Sequence, residues 1–357
     1  MACSSPAFSR DDIVVSFSPD AALQYSLDAL QAKRPDVPGF AIAVIDGERL
    51  VTAASGVAAP DGMLMTAQTP FRLASVTKTF VAAAVLRLYE QGQVDLDAPI
   101  SGLISAEHAQ LLEADGYDTG KITVRHLLMH ASGLDDHFGT DESKALVFAN
   151  PLKQWTRTEQ IRLLVDATDP LGQPGERFHY SDTGYVLLGE IIETVTGMRL
   201  GEAVRTLNRF DAIGIAAMRW EPLAGEEQGA ARAHQWIDGI DTFALDGSLD
   251  AYGGGGLIGN VIDTARYYDA LFDGRIFASA ETLQLMQQAP SHPEGSPYRL
   301  GLFAGRIGNH QVYMHGGFWG VHALHVPSLD LTIVAVALDQ SGHKDIRQLA
   351  ADLVGAR

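Results

Sequence analysis

Apolar positions along this chain change their period from the ends to the middle. Residues 20–33 (DAALQYSLDALQAK) space Leu, Tyr and Leu as a helix does. Two apolar runs follow, 39–45 and 50–56, with Asp46-Gly47 between them, and that arrangement predicts a β-hairpin. Near the other end, 300–306, 311–315, 320–326 and 331–338 read as strands. Turns are predicted at Gly308-Asn309 and at 327–330, and a last helix at 344–354. Between the two strand regions, 79–91 (TFVAAAVLRLYEQ) is apolar on nearly every side, which predicts a buried central helix. A second apolar helix is predicted over 186–195.

Strands at both ends around a helix-rich middle predict an α/β (α+β) fold. An antiparallel sheet built from the N- and C-terminal segments would be flanked by helices and interrupted by a mainly helical insert. The boundaries read are 1–95 with 241–357 for the sheet-bearing part and 96–240 for the insert, with a cleft between them. No internal repeat is visible. The run Gly253-Gly-Gly-Gly256 is too short for a linker and predicts backbone passing close to a core helix or to a substrate cleft.

Composition narrows the function classes. With 357 residues, 46% of them hydrophobic and 20% charged, the chain has ample core for one large domain or two joined ones. A net charge of −18 argues against nucleic acid and anionic membrane surfaces as partners. No run approaches the roughly 18 apolar residues of a membrane span. The single cysteine, Cys3, excludes an internal disulfide framework. The start, MACSSPAFSR, lacks a charged and then apolar leader, so as it stands it points to the cytoplasm. Cys-Ser-Ser at that place also resembles a processed bacterial lipoprotein, which would be periplasmic or secreted. Compartment and oligomeric state stay open.

Chemistry enters at Ser75-Val-Thr-Lys78, which opens the buried central helix. Serine needs a base within reach, and residues i and i+3 share a helix face. Burial and the helix dipole are expected to lower the lysine's pKa and make it a general base. A second match, Ser341-Gly-His-Lys344, has no buried helix behind it and reads as surface. Tyr180 precedes the 186–195 helix on a loop, where a phenol beside a buried lysine would have a lowered pKa and shuttle a proton. His315-Gly316-Gly317 ends a strand, and glycines there let substrate approach edge N–H groups that can hold an oxyanion. His126 and His130 stand i, i+4 but lack the glutamate of a His-Glu-x-x-His site, so they read as structural. His322 and His325 point to opposite faces of a strand and cannot join His315 around a metal. Trp319, Tyr252, Trp236 and Phe138 are candidate cleft walls.

In that order the three elements resemble the serine β-lactamase and penicillin-binding-protein superfamily. The nearest branch is the class C-like one, with D-Ala-D-Ala carboxypeptidases, D-aminopeptidases and esterases. Its marks, Ser-x-x-Lys, Tyr-x-Asn and Lys- or His-x-Gly, stand here as Ser75–Lys78, Tyr180-Ser-Asp182 and His315-Gly-Gly317. Segments 69–75, 122–134, 185–193 and 254–257 resemble the family too, and the likeness runs from about residue 37 to the end. It implies Ser75 as acylated nucleophile, Lys78 as its base and Tyr180 as proton relay. The oxyanion hole would use the backbone N–H groups of Ser75 and Phe318, with Gly316, Gly317 and Trp319 near the substrate and no cofactor or metal.

Two departures matter. Asp182 stands where the family has asparagine, and would favour a charged Lys78 unless it is protonated or paired elsewhere, for example with protonated His315. His315 stands where many relatives have a lysine that holds a substrate carboxylate. The expected substrates are therefore neutral esters or amides, or peptides presenting a free amine, rather than carboxylate-bearing β-lactams. β-Lactamase or carboxypeptidase action, acyl transfer to another acceptor, a metal hydrolase and a non-catalytic sensor or scaffold that kept the fold are the alternatives. Ser181-Asp182-Thr183 also lies one residue from the Ser-Asp-Asn of class A β-lactamases.

Overall fold

A computed structural model describes residues 19–223, 232–293 and 295–357. Cys3 and the lipoprotein-like start lie outside them. In chain order the first elements are α1 (Pro19–Lys33), β1 (Gly39–Asp46), β2 (Arg49–Gly56), β3 (Phe71–Arg72) and α2 (Thr77–Glu90). Six helices follow: α3 (Ala106–Ala114), α4 (Val124–Leu128), α5 (Asp141–Ala149), α6 (Arg157–Ala167), α7 (Asp182–Thr196) and α8 (Leu200–Leu207). Next come β4 (Arg219–Trp220), β5 (Trp236–Ile237), β6 (Ile240–Asp241), β7 (Leu257–Gly259), α9 (Val261–Phe272) and α10 (Ala280–Gln287). The chain closes with β8 (Phe303–Ile307), β9 (His310–Gly317), β10 (Val321–Val326), β11 (Leu331–Ala337) and α11 (His343–Gly355).

The main sheet runs β2-β1-β11-β10-β9-β8, with antiparallel pairs throughout. Pairing of β1 with β11, Phe40 opposite Ala337 through Asp46 opposite Leu331, joins the two ends of the chain. The fold is thus the α/β (α+β) arrangement that the pattern predicts. Because side chains alternate along a strand, β1 serves two cores. Phe40, Ile42 and Val44 pack with Leu23 and Leu27 of α1 and with Ile346 and Ala350 of α11. Ala41, Ala43 and Ile45 join the core built around α2 and α9 on the other face. The hairpin turns one residue later than expected: Asp46 ends β1 opposite Arg49, and Gly47 (φ +57°) with Glu48 makes the turn.

Helix α2 is buried at every position from Thr77 to Leu86, as its apolar sequence predicts. Beside it, β3, β7 and β4 form a small second sheet. There Arg72 donates Nε to Glu221 Oε1 at 2.5 Å and Nη2 to the Leu245 carbonyl at 2.6 Å, deep inside the protein. This pair fixes the strand that leads into Ser75. No helix of the described residues is long and apolar enough to cross a membrane.

Histidine burial gives this fold an expected acid sensitivity. Burial pushes His137 and His325 down to about 4 and His315 and His322 down to about 3, so all four are neutral when folded. In the unfolded chain they take up protons near pH 6.5. Folded stability is therefore full above pH 6.5 and declines as pH falls toward 3. Carboxyls raised in the fold act in the opposite sense, chiefly Asp136 at about 7 and Asp269 at about 6, and offset the four imidazoles only in part. The melting temperature should drop by about 5 °C between pH 7.5 and pH 5 in scanning calorimetry. A flat or rising Tm would mean that these imidazoles are charged in the folded protein.

Candidate active site

Ser75 sits in the middle of a 3-10 turn, Ala74–Val76, that runs directly into α2. Ala74, just before it, is held at φ +46°, a conformation that costs a non-glycine residue on the order of 1 kcal/mol and that surrounding contacts must enforce. One such contact is Gln235. Its amide accepts from the Arg72 N–H (2.9 Å) and donates to the carbonyls of Arg72 (3.2 Å) and Trp319 (3.0 Å). The strand before Ser75 is thereby tied to the turn after β9. A second contact is Gly317. A Cβ there would lie 2.4 Å from the Leu73 carbonyl oxygen, so only glycine lets β9 press against the serine turn.

Lys78 is fully buried, and its Nζ donates to Ser75 Oγ at 3.0 Å and to the Gly254 carbonyl. The same ammonium pairs with the Asp182 carboxylate. Tyr180 lies on the loop before α7, with Lys78 Nζ 5.1 Å from its ring centroid, and lines the same cavity as Ser75. Ser181 caps α7 through Gly184 N–H, so the helix starts at Asp182, four residues before the expected start. That places the Asp182 carboxylate at the positive end of the helix dipole. The glycine run brings backbone against a core helix: a Cβ on Gly253 would lie 2.3 Å from the Tyr185 carbonyl oxygen of α7.

The electrostatics differ from the sequence expectation at three residues. Burial pushes the Lys78 ammonium down, but Asp182 and then Tyr180 outweigh it, and the net direction is up. Lys78 is therefore charged at rest, as the aspartate at position 182 predicts, and not partly neutral as burial and the helix dipole alone predict. The Tyr180 phenol is pushed up to about 12, chiefly by burial and against the pull of Lys78, so the expected lowering does not occur. His315 does not pair with Asp182. Its Nδ1 donates to the Gly316 carbonyl (2.8 Å) and its Nε2 accepts from the Tyr298 hydroxyl (2.9 Å), so it is a neutral imidazole with both nitrogens engaged.

A cavity of about 480 Å³ is lined by Ser75, Tyr180, His315, Gly316, Gly317 and Phe318, among others, a size that suits a small-molecule or short-peptide ligand. Lys78 and Asp182 sit behind its floor. Trp319 does not line it: the indole is buried, donates Nε1 to Asp250 Oδ2 (2.9 Å) and packs edge-on against Phe318. Tyr252 faces another cavity and donates its hydroxyl to the Trp155 carbonyl (3.0 Å). Trp236 stacks on His234, while Phe138 meets Phe318 edge-to-face at 5.9 Å. His126 and His130 part company. Nδ1 of His126 accepts from Thr123 N–H, whereas the His130 ring lies 4.2 Å from that of Tyr180. His322 turns toward His343 and His325 stacks on Phe272, on opposite faces of the sheet as expected.

Four residues near the site escaped the sequence reading: Gln235, Tyr298, Asp250 and Asp136. Asp136 accepts from the Phe138 N–H (3.1 Å) and feels the charge of Asp182. The only sequence signal for it is the acidic doublet Asp135-Asp136 directly after a family-like segment.

A family model described as Beta-lactamase matches residues 27–355. The chain belongs to the beta-lactamase family. Among curated relatives of this beta-lactamase-family chain, a D-aminopeptidase of Gluconobacter oxydans is 28% identical over 90% of this chain and 59% of its own length. Esterase EstB of Burkholderia gladioli is 38% identical over 54% of this chain and 50% of its own. The chain thus spans between half and three fifths of the length of these relatives. In three dimensions it resembles a D-stereospecific amidohydrolase from Streptomyces sp., with a TM-score of 0.78 and 26% identity, covering 90% of this chain and 95% of that one.

Proposed function

We propose that this beta-lactamase-family protein is a serine hydrolase that cleaves ester or amide bonds through an acyl-enzyme, as an esterase or a D-amino-acid-type peptidase. The observation that carries the reading is the buried Lys78 ammonium 3.0 Å from Ser75 Oγ, with the Tyr180 ring beside it at 5.1 Å. Ser75 Oγ bonds to the substrate carbonyl carbon and gives up its proton to the Lys78–Asp182 ion pair, which can hold one more. The carbonyl oxygen becomes an oxyanion held by the N–H groups of Ser75 and Phe318. As the intermediate collapses, the bond to the leaving group breaks and Tyr180 supplies it with a proton. Water then resolves the acyl-enzyme by the same steps in reverse order.

The division into a sheet-bearing part, 1–95 with 241–357, and an insert, 96–240, with the cleft between them, belongs to the same proposal. It is supported by the origin of the groups: Ser75, Lys78 and His315 come from one part and Tyr180 and Asp182 from the other. The neutral His315 supports neutral acyl groups over carboxylate-bearing ones. The D-aminopeptidase and D-stereospecific amidohydrolase likeness favours D-aminoacyl amides among them.

Peptide mass mapping during turnover of a short-chain p-nitrophenyl ester tests the reading. One acyl group should appear on the peptide carrying Ser75, and a penicillin should label that peptide more slowly than the ester does. An adduct on another residue, or neither p-nitrophenol release nor any adduct, would overturn the serine-hydrolase proposal. Faster labelling by penicillin would overturn the substrate preference.

A further inference from the structure

We infer that Asp182 is the terminal acceptor of the Ser75 proton, with Lys78 as the relay, and that Asp136 is a positioning residue whose charge drives that transfer. The inference rests on the serine-hydrolase reading and explains why an aspartate replaces the family's asparagine. Lys78 Nζ touches Ser75 Oγ and Asp182 at once. A lysine held charged by Asp182 cannot take a further proton unless it releases one. The balanced step is therefore a double transfer. As Ser75 Oγ bonds to the carbonyl carbon, its proton passes to Lys78 Nζ and a Lys78 proton passes to Asp182 Oδ1. Lys78 remains an ammonium, Asp182 becomes neutral, and the negative charge moves to the substrate oxyanion.

For this to run at useful rate, Asp182 must be made a better proton acceptor than its ion pair with Lys78 allows. Asp136 is placed to do so. Its carboxyl accepts from the Phe138 N–H, and its chain neighbours bond across to the start of α7, Ser181 Oγ to the Asp135 carbonyl (2.7 Å) and His137 N–H to Thr183 Oγ1 (3.2 Å), which sets it opposite Asp182. A second negative charge there repels the Asp182 carboxylate and so favours the state in which the proton has been transferred. Burial first, and then Asp182, hold Asp136 up at about 7, so its charge switches on around neutrality.

His137 and His315, which face this pair, are held well below neutrality by burial. His137, with Nδ1 3.9 Å from Asp136, stays neutral down to about pH 4, and His315 to about 3. Tyr180 and Lys78 are both shifted upward. Asp250 is held up by burial but is tied to Trp319 Nε1. On the chain before Asp136, Asp135 is paired with His179 at 2.8 Å.

The sign follows. Below pH 7 Asp136 is neutral and transfer to Asp182 is slow; above it Asp136 is charged and transfer is fast. The wild-type profile of kcat/KM for a p-nitrophenyl ester should rise through an apparent pKa near 7. Asp136→Asn should be flat from pH 6 to 8, at a plateau roughly tenfold below wild type. In an Asp182→Asn background, the Asp136→Asn change should have no further effect on the profile, since the acceptor is gone. An unchanged rise near pH 7 in Asp136→Asn, with a native melting temperature, would overturn the role of Asp136. So would additive effects of the two substitutions. Failure of the serine-hydrolase reading itself is seen separately, as absence of a Ser75 adduct in wild type.

Discussion

Ser75→Ala should lower kcat for a p-nitrophenyl ester by at least about 10⁴-fold and abolish the acyl adduct, while the melting temperature stays within about 2 °C of wild type. The two halves of this expectation come from different contacts. Without Oγ no covalent intermediate forms. What is left is the oxyanion hole and substrate binding, which alone give only modest acceleration over water. Stability is spared because Lys78 loses one of its partners and keeps Asp182 and the Gly254 carbonyl. A lost hydrogen bond of that kind costs about 1 kcal/mol. The strained Ala74 and the glycine contact at Gly317 hold the turn whatever stands at position 75. Steady-state kinetics with intact mass, beside a thermal melt, measure both halves. A variant that retains a tenth of the activity would place the nucleophile elsewhere. One that melts many degrees lower would show that Ser75 is also part of the packing.

What could be read from sequence divides along physical lines. The main-sheet strands, the buried helix α2 and the turn at Gly308-Asn309 were legible because each depends on local period or local turn chemistry. The three motifs were legible because their residue types are few and their order is restrictive. Charge states were legible only in part. Ser75-Val-Thr-Lys78 alone points to a partly neutral lysine; Asp182 points the other way, and only the structure, with the two paired, decides between them. His315 likewise reads as a candidate cation until Tyr298 is seen donating to its Nε2. Gln235 ties two catalytic segments together through side-chain bonds to backbone, which leave no periodic trace. The start of α7 was placed late because Ser181 and Asp182 are polar. Polarity is what an N-cap and a first helical turn favour, yet a search for apolar period skips them.

Replacing Lys78 should do what replacing Ser75 does not: remove activity and stability together, in a way that a second substitution separates. Lys78→Ala should reduce kcat by about 10³- to 10⁴-fold, since it removes both the relay and the group that orients Ser75 Oγ. It also leaves the Asp182 carboxylate without its counter-charge. Breaking a fully buried pair costs about 3–5 kcal/mol. Here the Asp182 side chain keeps 23% exposure to solvent, which reduces the expected loss to about 2 kcal/mol. For a chain of 357 residues that corresponds to a fall in Tm of about 3 °C. Lys78→Met with Asp182→Asn fills the space and removes the stranded charge, so the double variant should regain most of the lost Tm and none of the activity. Recovery of activity along with Tm would mean that Lys78 serves only to hold the fold and that Ser75 is activated from elsewhere. A Lys78→Ala protein that melts like wild type would mean that the ion pair contributes nothing net, its Coulombic gain cancelled by burial of the ammonium. The proton route through Asp182 would still stand on kinetics, because rate and stability are measured apart.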